Sequence, residues 1–398
     1  MEAFIYDAVR TPRGKGKQGG RLHEVKPIDL LANLMRHLQS THALDTSKID
    51  DLIVAVGEPV GEQGQNIAKT AVTYCDWSPQ TTGMQVHRYC AGGMEAIHIA
   101  AAKIQAGVQA LAIAGGVESM SRLGMGAGGA AQGDPWTAMQ TYFISQGLAA
   151  DILATRDGHD RQRLDAFALC SQQRAATARD AGYFTSVVPV KDMNGLVVCE
   201  RDELIRSTDM ATLGALSPSF AVFAEHGGHA DIARMKHPQI ERIVYGHTAG
   251  NSSGVVDGAA LVLVGNSAAG EAQGLRPRAR IRAMATVGTD PTLMLEGPVP
   301  ATRKALAMAG LTVEDIDLFE VNEAFATVVL NFMDTLGVDA DKVNVNGGAI
   351  AMGHPIGATG AMLIGQLLDE LERRDKTLGL ATLCAGGGIG IATIIERI

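Results

Sequence analysis

An internal repeat constrains the fold of this chain more than any other feature of its sequence. The segment HRYCAGGMEAI (residues 87–97) aligns with HPIGATGAMLI (residues 354–364), so that His87 corresponds to His354 at an offset of 354 − 87 = 267 residues. The same offset matches residues in further segments, namely Leu44, Ile49 and Asp50 with Leu311, Ile316 and Asp317, and Leu111 with Leu378. Segments that share one offset predict two similar halves. The alternative is a chance likeness, because any two segments of alternating strands and helices look alike.

Hydrophobic periodicity in the first part of the chain alternates between that of strands and that of helices. Helical spacing is found in residues 27–39 and 90–107, and apolar runs typical of buried strands are found in residues 49–57 and 110–116. Strands that alternate with helices indicate an α/β fold with a mainly parallel sheet, covered on both faces.

The pattern changes between residues 119 and 248, where loops and polar, irregular stretches surround a few helical segments. The alternation of strands and helices resumes after this region. We therefore predict four segments: the first part of the N-terminal half at 1–118, an inserted domain at 119–248, the completion of the N-terminal half at 249–270, and the C-terminal half at 271–398.

Composition argues against several classes of protein. A net charge of −9 and a pI near 5.7 disfavour nucleic acid as the main partner. The five cysteines form no C-x-x-C pair and no zinc-spaced cluster, so we expect no metal and a reducing, cytoplasmic location. The N-terminus lacks the apolar core of a signal peptide. Two long uncharged segments, 343–368 and 377–395, contain glycines that suit buried strands and turns better than a membrane span.

Cys90 is the first candidate for chemistry. It is predicted to lie between a strand and the N-terminus of a helix, where the helix dipole and free N–H groups favour a thiolate. A buried structural thiol is the alternative, because a lone cysteine usually behaves as a small apolar residue. His87 lies three residues earlier, but the repeat gives it only the position in the first half that His354 holds in the second.

Three further stretches place polar residues at predicted turns or strand ends. His354 lies among glycines and before a proline, where its imidazole could act as a general base; a satisfied structural histidine is the alternative. Cys384 ends a strand, and the glycines that follow have N–H groups that can form an oxyanion hole. Asn322 and Glu323 end another strand in apolar surroundings and so need partners or a function, with a helix N-cap as the alternative for Asn322.

Together these stretches resemble the catalytic motifs of the thiolase family, and the likeness extends over nearly the whole chain. The family's Cys-x-Ser-Gly, Asn-Glu-Ala-Phe, Gly-His-Pro-x-Gly and Cys-x-Gly-Gly-Gly motifs are CAGG, NEAF, GHPIG and CAGGG here, in the same order. The segments GGVESMSR (115–122) and AGNSSGVVDGAA (249–260) are also similar. The resemblance implies an α/β, thiolase-like fold: two similar βαβαβαββ halves packed as a five-layer α-β-α-β-α sandwich with an inserted loop domain.

The resemblance also implies roles for individual residues. Cys90 would be the nucleophile that takes up the acyl group, and His354 would activate it. Cys384 would be the second acid/base, which protonates or deprotonates the acetyl-CoA carbon. Asn322, through a bound water, would form one oxyanion site with His354, and the backbone N–H groups of Cys90 and Gly386 would form the other.

The implied activity is the thiolytic cleavage of a 3-oxoacyl-CoA by coenzyme A, with coenzyme A as co-substrate and no permanently bound cofactor. Ser253 and the inserted domain would hold the pantetheine arm of coenzyme A, and Ala324 and Phe325 would line the acyl pocket. The family's members form dimers and dimers of dimers, so we expect a homodimer or homotetramer whose other partners are acyl-CoA and coenzyme A.

The chain departs from the family pattern at several positions. Residue 92 is Gly where the family usually has Ser, and His87 replaces the usual Asn. The loop TYFISQG (141–147) lacks the histidine and methionines of acetoacetyl-CoA thiolases, which favours broader 3-oxoacyl substrates. Ser217 stands where many relatives have a cation for the coenzyme A phosphates. We expect the substitute cations to be Arg234, Lys236 and Arg242.

Three alternatives to a degradative 3-oxoacyl-CoA thiolase remain at this point. An acetoacetyl-CoA thiolase would work in the condensation direction. A non-catalytic acyl-CoA-binding relative is disfavoured because Cys90, Asn322, His354 and Cys384 are all present. A nucleotide-binding oxidoreductase would need a G-x-G-x-x-G turn after its first strand, and GGRLHE does not supply one.

Overall fold

The computed structural model describes residues 1–398. Its strands are β1 (Phe4–Arg10), β2 (Gly14–Lys15), β3 (Asp51–Ala55), β4 (Thr82–Val86), β5 (Leu111–Ser119), β6 (Val190–Lys191), β7 (Val197–Cys199), β8 (Val256–Gly265), β9 (Ala279–Gly288), β10 (Leu318–Val321), β11 (Leu378–Ala385) and β12 (Ile389–Arg397). Its α-helices are α1 (Pro27–His42), α2 (Ile67–Tyr74), α3 (Gly92–Gln105), α4 (Pro135–Thr141), α5 (Gln146–Asp157), α6 (Arg161–Asp180), α7 (Met210–Gly214), α8 (Ala221–His226), α9 (His229–Lys236), α10 (Ser267–Ala272), α11 (Pro298–Ala309), α12 (Ala326–Leu336), α13 (Ala349–Met352) and α14 (Thr359–Arg373).

The main sheet is symmetric about the pairing of β1 with β9. Its strand order is β10-β11-β12-β9-β1-β8-β5-β3-β4, with β2 pairing to β8, so that β1, β8, β5 and β3 mirror β9, β12, β11 and β10. Three pairs of elements begin 267 residues apart: β3 and β10, α3 and α14, and β5 and β11. The prediction of two similar halves is therefore confirmed, and the offset found in the sequence is the offset between equivalent elements.

The strand directions differ from the expected mainly parallel sheet, and that prediction is wrong. β3 is parallel to β4 and β5, and β10 is parallel to β11. However, β8 is antiparallel to both β1 and β5, and β12 is antiparallel to both β9 and β11. The physical reason is connectivity, because β11 and β12 are joined by a short turn and a parallel pair would need a long crossover.

Helices cover both halves of the sheet and also fill the space between them. α3 and α14 lie in the middle, where Met94 and Ile97 pack in one buried cluster with Ile364 and Leu367. α1 and α2 cover the outer face of the first half, and α11 and α12 cover the outer face of the second. The order helix, sheet, helix pair, sheet, helix is the five-layer sandwich expected from the family resemblance.

Two equivalent glycines allow α3 and α14 to approach closely at their N-termini. A Cβ atom on Gly360 would lie 2.3 Å from the backbone nitrogen of Met94, and one on Gly93 would lie 2.7 Å from the carbonyl oxygen of Gly357. Only glycine fits at such distances, which are shorter than any real Cβ contact. The close crossing brings together the turns that precede the two helices, and these turns carry Cys90 and His354.

The chain between β5 and β8 contains α4 to α9 and the small β6–β7 hairpin. Part of this region shares an apolar cluster with the C-terminal half. In this cluster, Leu148 and Ile152 of α5 pack with Phe325 and Cys384. β8 then returns to the first half of the sheet. We propose that the four segment boundaries given above hold. β8 lies inside residues 249–270, the segment predicted to complete the N-terminal half. None of the helices has the length and apolar character needed to cross a membrane.

Candidate active site

Cys90 lies in the turn between β4 and α3. The turn is held by hydrogen bonds from Ala91 N–H to Arg88 O and from Gly92 N–H to Tyr89 O, both 3.0 Å, and Tyr89 has a positive φ of 48°. The thiol is buried, with 6% of the residue exposed. Burial raises the pKa of Cys90 to about 11, against the lowering effect of hydrogen bonds from the Gln146 side chain and from backbone N–H groups. The local donors favour the thiolate in the predicted direction, but burial outweighs them, so the resting group is a thiol that needs a base.

His354 lies in the turn between α13 and α14, and its hydrogen bonds fix its tautomer. Its backbone N–H donates to Gly254 O at 2.9 Å, and its Nδ1 is 2.6 Å from the hydroxyl oxygen of Thr359. The Thr359 hydroxyl donates to Pro355 O at 3.1 Å, so it accepts the proton of His354 Nδ1. Nε2 then carries a lone pair, and this buried atom has no hydrogen-bond partner. The imidazole is thus prepared to accept a proton at Nε2.

The protonation state of His354 fits this arrangement. Burial, with a smaller effect from the positive charge of Arg13, lowers the pKa of His354 to about 4. The imidazole is therefore neutral at physiological pH, as a general base must be. The alternative of a histidine with all its hydrogen bonds satisfied does not hold, because Nε2 is free.

Cys384 is the second buried thiol of the site. It lies near the end of β11, opposite Gly390 of β12, and 1% of the residue is exposed. Burial raises the pKa of Cys384 strongly, and the neighbouring Cys90 raises it further. A thiol with a raised pKa keeps its proton and can donate it to a carbanion.

Asn322 follows β10 and presents an unsatisfied carboxamide. Its backbone N–H donates to Thr382 O at 3.0 Å, but neither Oδ1 nor Nδ2 has a hydrogen-bond partner, although only 1% of the residue is exposed. A buried amide without a protein partner is available to a bound water or a ligand. It is not a helix N-cap, since α12 begins four residues later, after Phe325.

Glu323, the neighbour of Asn322, is a structural residue. Its carboxylate accepts hydrogen bonds from Ser171 Oγ at 2.6 Å, Asn344 Nδ2 at 3.0 Å and Ile350 N–H at 3.1 Å. Of the polar pair singled out in the sequence, one residue is therefore satisfied within the fold and the other is free. Asn322 is the one available to a ligand.

Ser253, Ala324 and Phe325 form one side of the site. Ser253 N–H donates to Ala324 O at 2.9 Å, and Ser252 and Phe325 form an isolated antiparallel bridge. Ala324 and Phe325 belong to the same apolar cluster as Cys384, and the Phe325 ring meets those of Phe220 and His247 edge-on. The structure thus brings these three predicted residues together beside Cys384.

Gly386 lies in the turn between β11 and β12. Its backbone N–H acts to lower the pKa of Cys90, and a Cβ atom at this position would lie 3.5 Å from Cγ of Tyr89 and 3.6 Å from Nε2 of Gln146. The role of the N–H groups of Cys90 and Gly386 as an oxyanion site stays a prediction.

His87 is placed differently from His354. His87 is exposed; its ring packs edge-on against Tyr89 with 4.8 Å between ring centroids and makes no side-chain hydrogen bond. Burial lowers the pKa of His87. Its ring contact is with Tyr89, and no hydrogen bond joins it to Cys90.

Sequence reasoning missed three residues at the site. Thr359 sets the tautomer of His354, Gln146 of the inserted region acts to lower the pKa of Cys90, and Glu118 holds the turn around Gly357. Thr359 was detectable as a hydroxyl residue five positions after the histidine in the motif. Glu118 and Gln146 lie in the segments GGVESMSR and TYFISQG, which were compared with the family, but neither residue was singled out. No group of three His, Cys, Asp or Glu side chains is placed to bind a metal ion.

The three expected coenzyme A cations lie in or just after α9, in unequal surroundings. Arg234 forms ion pairs with Glu225 at 3.4 Å and Asp231 at 3.3 Å. Lys236 Nζ lies 5.0 Å from the centroid of the Tyr142 ring. Arg242 is exposed and has no ion pair, so it is the cation most available to a phosphate.

Comparisons with known proteins agree with the fold and the motifs. The family model "Thiolase, N-terminal domain" matches residues 3–228, and "Thiolase, C-terminal domain" matches residues 275–397. A 3-ketoacyl-CoA thiolase of Serratia proteamaculans is 41% identical over 403 residues, 99% of each chain. A 3-oxoadipyl-CoA/3-oxo-5,6-dehydrosuberyl-CoA thiolase of Escherichia coli is 40% identical over 421 residues, 100% of each chain. The crystal structure of the Bacillus anthracis acetyl-CoA acetyltransferase matches with a TM-score of 0.86 and 33% identity, covering 100% of this chain and 99% of that one.

Proposed function

The chain belongs to the thiolase family, and we propose that it cleaves 3-oxoacyl-CoA with coenzyme A through an acyl-enzyme on Cys90, giving a shortened acyl-CoA and acetyl-CoA. One observation carries the proposal. The turn that carries the buried Cys90 meets the turn that carries His354, whose Nε2 is free, and the buried Cys384 lies near enough for the charge of Cys90 to raise its pKa.

The first half-reaction follows from the protonation states of these groups. His354 Nε2 takes the proton of Cys90, and the thiolate attacks the 3-oxo carbon of the substrate. The bond between carbons 2 and 3 then breaks, and its electron pair goes to carbon 2 of the departing acetyl-CoA, which forms as an enolate. Cys384 donates its proton to that carbon, and the acyl group stays on Cys90 as a thioester.

The second half-reaction transfers the acyl group to coenzyme A. Cys384, now a thiolate, takes the proton of the coenzyme A thiol, whose sulfur attacks the thioester carbon. The carbon–sulfur bond to Cys90 breaks with its electron pair on the Cys90 sulfur, which recovers a proton from His354. All three groups return to their starting states without a redox step.

Two sites bind the oxygens that become negative during the reaction. The backbone N–H groups of Cys90 and Gly386 bind the oxygen of the tetrahedral adduct on the former 3-oxo carbon. The carboxamide of Asn322, through a water molecule, binds the thioester oxygen of the enolate together with His354. The free amide of Asn322 supports this assignment, because nothing within the protein occupies it.

The surroundings of the acyl group support an apolar substrate. Ile144 and Leu148 of the inserted region belong to the same buried cluster as Phe325 and Cys384. The 3-ketoacyl-CoA and 3-oxoadipyl-CoA thiolases among its relatives support a degradative role, and we propose fatty or ring-derived 3-oxoacyl chains as its substrates. The second candidate is acetoacetyl-CoA synthesis by condensation, which is favoured by the similarity to the acetyl-CoA acetyltransferase structure.

A panel of substrates tests the proposal and separates the two candidates. We expect kcat/KM for thiolysis to be higher for 3-oxoacyl-CoAs with longer or branched chains than for acetoacetyl-CoA. A clear preference for acetoacetyl-CoA would support the condensing enzyme. Incubation with a 3-oxoacyl-CoA in the absence of coenzyme A should add the acyl mass to the peptide that contains Cys90, and no such adduct would indicate a non-catalytic acyl-CoA-binding protein.

Coenzyme A is a co-substrate in this proposal, and Ser253 and the inserted region hold its pantetheine arm. The cations at 234, 236 and 242 bind its phosphates, with Arg242 most important because it has no ion pair. Replacing all three with neutral residues should raise the KM for coenzyme A, and an unchanged KM would refute their role. We further propose a cytoplasmic location, which the five free cysteines support. We also propose that the protein forms a homodimer or a homotetramer.

A further inference from the structure

We propose that Glu323 is a positioning residue for the oxyanion site that Asn322 and His354 form. Its carboxylate ties the turn that carries Asn322 to the start of α13, the short helix that leads to His354. The proposal rests on the role given above to these two side chains in binding the enolate oxygen. It adds a residue that touches no substrate and acts through the residues it holds.

The carboxylate of Glu323 joins three parts of the chain. It accepts hydrogen bonds from Ser171 Oγ at 2.6 Å, Asn344 Nδ2 at 3.0 Å and Ile350 N–H at 3.1 Å. These donors lie on α6 of the inserted region, in the loop between α12 and α13, and in α13 itself. Glu323, Ser171 and Asn344 are each 3% exposed or less, so the bonds form in a low-dielectric interior, where they are strong.

Asn344 holds the backbone on both sides of Asn322. Its Oδ1 accepts the N–H of Val321 at 2.8 Å, and its Nδ2 donates to Val321 O at 2.8 Å and to Glu323 at 3.0 Å. Its own φ of 46° lies in the left-handed region, which asparagine tolerates better than most residues. The turn is therefore fixed on both sides of Asn322, while the carboxamide of that residue stays without a protein partner.

The other end of the network lies at α13. Ile350 donates its N–H to Glu323, and Gly348 donates its N–H to Ser171 Oγ at 3.1 Å. A Cβ atom on Gly348 would lie 2.3 Å from the carboxyl carbon of Glu323, so only glycine allows this approach. α13 ends two residues before His354. Glu323 and Ser171 thus fix the start of the segment that places the base.

The two members of the oxyanion site depend on this network to different degrees. His354 is also held by its own hydrogen bonds with Gly254 and Thr359. The side chain of Asn322 has no such bond, and its position follows from the backbone that the network holds. Loss of the bonds to Glu323 should therefore move Asn322 relative to the base. A step that needs both side chains should then suffer more than a step that needs the base alone.

The test uses the full chain with Glu323→Gln, which keeps the size of the side chain and replaces an acceptor oxygen with a donor. Asp369→Asn is the matched control. Asp369 is another buried carboxylate that accepts a backbone N–H, that of Ser186 at 3.0 Å, and it belongs to no part of the site. Denaturant unfolding shows whether each variant is folded.

One substrate, acetyl-CoA in deuterated water, gives two rates. The mass of the peptide that contains Cys90 gives the rate of acetylation, in which the thiolate displaces coenzyme A and no enolate forms. The deuterium content of acetyl-CoA gives the rate of exchange at carbon 2, in which Cys384 removes a proton and returns a deuteron through the enolate. Of these two reactions, exchange is the one that needs Asn322 and His354 together.

We expect Glu323→Gln to lower the ratio of exchange to acetylation about tenfold, because a displaced Asn322 binds the enolate oxygen less well. Asp369→Asn should lose stability while keeping the ratio of the unmodified protein. Ser171→Ala removes one donor to Glu323 and should lower the ratio by a smaller factor. This variant decides the question if Glu323→Gln does not fold.

An unchanged ratio in folded Glu323→Gln, or in Ser171→Ala where the first variant does not fold, would overturn the role of Glu323. An equal fall of the ratio in the control would overturn it as well. Failure of the unmodified protein to acetylate Cys90 would instead overturn the proposed function. The two failures are distinguishable, because the first concerns the ratio of two rates and the second concerns whether Cys90 takes up an acyl group at all.

Discussion

Glu118 and Gly357 are joined by a hydrogen bond across the two halves, in which Oε2 of Glu118 accepts the backbone N–H of Gly357 at 2.9 Å. The same oxygen accepts the N–H of Gly57 at 2.7 Å, and the other oxygen accepts from Gln63 Nε2 at 2.7 Å. Gly357 lies three residues after His354, so one buried carboxylate ties the end of β5 to the turn that carries the base. Burial raises the pKa of Glu118, against these hydrogen bonds.

Replacing Glu118 with Ala should destabilise the protein and impair turnover together. The change leaves several buried N–H groups without an acceptor, and each costs about 1–3 kcal/mol, so the free energy of unfolding should fall by about 3 kcal/mol or more. Denaturant unfolding measures this loss, and kcat measures the displacement of His354. Glu24→Ala is the control, because that side chain is 92% exposed. Equal unfolding free energies for the two variants would contradict the linking role of Glu118.

Cys384→Ala should separate the two chemical steps. Cleavage of the carbon–carbon bond needs a proton donor for the acetyl-CoA carbon, so thiolysis should fall by about 100-fold or more. Acylation of Cys90 by a simple acyl-CoA breaks no carbon–carbon bond and should persist, as measured by the mass of the peptide that contains Cys90. Cys75→Ala, at a half-buried thiol near the end of α2, is the control. Thiolysis at nearly the full rate in Cys384→Ala would show that the acid is another group.

His87→Asn and His354→Asn should have opposite outcomes although the repeat makes the two histidines equivalent. His87 contributes a ring contact with Tyr89 and no hydrogen bond, so its loss should change kcat less than about threefold. His354 supplies the free Nε2, and its loss should lower kcat by about 100- to 10,000-fold. Steady-state thiolysis of both variants decides the matter, and a comparably large loss in His87→Asn would refute the assignment.

The sequence predicted the site best where a polar or reactive residue stands in apolar or glycine-rich surroundings, because such a residue needs a partner or a function. His354 lies in a glycine-rich turn, Cys384 lies near the end of a strand just before another such turn, and Asn322 follows a strand, so their motifs were recognisable locally. The repeat added the information that Cys90 and His354 precede equivalent helices. Because α3 and α14 cross closely at Gly93 and Gly360, the turns before the two helices meet, and Cys90 and His354 lie in these turns.

Other features depend on tertiary packing and could not be predicted locally. The pKa of Cys90 is decided by burial between the two halves, which overrides the local effect of the helix N-terminus. Gln146 reaches the site from an insertion whose path the sequence does not specify. The directions of β8 and β12 follow from where the chain re-enters the sheet, and alternation of strands and helices does not encode them.

The stability of the protein should fall as the pH is lowered from about 6.5 to about 4, and His354 should account for part of the loss. Burial, with a smaller contribution from Arg13, lowers the pKa of folded His354 from 6.5 to about 4. Between these values the unfolded chain binds a proton that the folded chain does not, so unfolding becomes more favourable as the pH falls. The shift of 6.5 − 4 corresponds to about 3 kcal/mol.

The test is denaturant unfolding of His354→Gln at pH values across this range. The unfolding free energy of this variant should change less steeply with pH than that of the unmodified protein. The buried His98, whose pKa is lowered to about 3, should account for part of the pH dependence that remains. An identical slope in His354→Gln would mean that His354 is not held neutral by the fold.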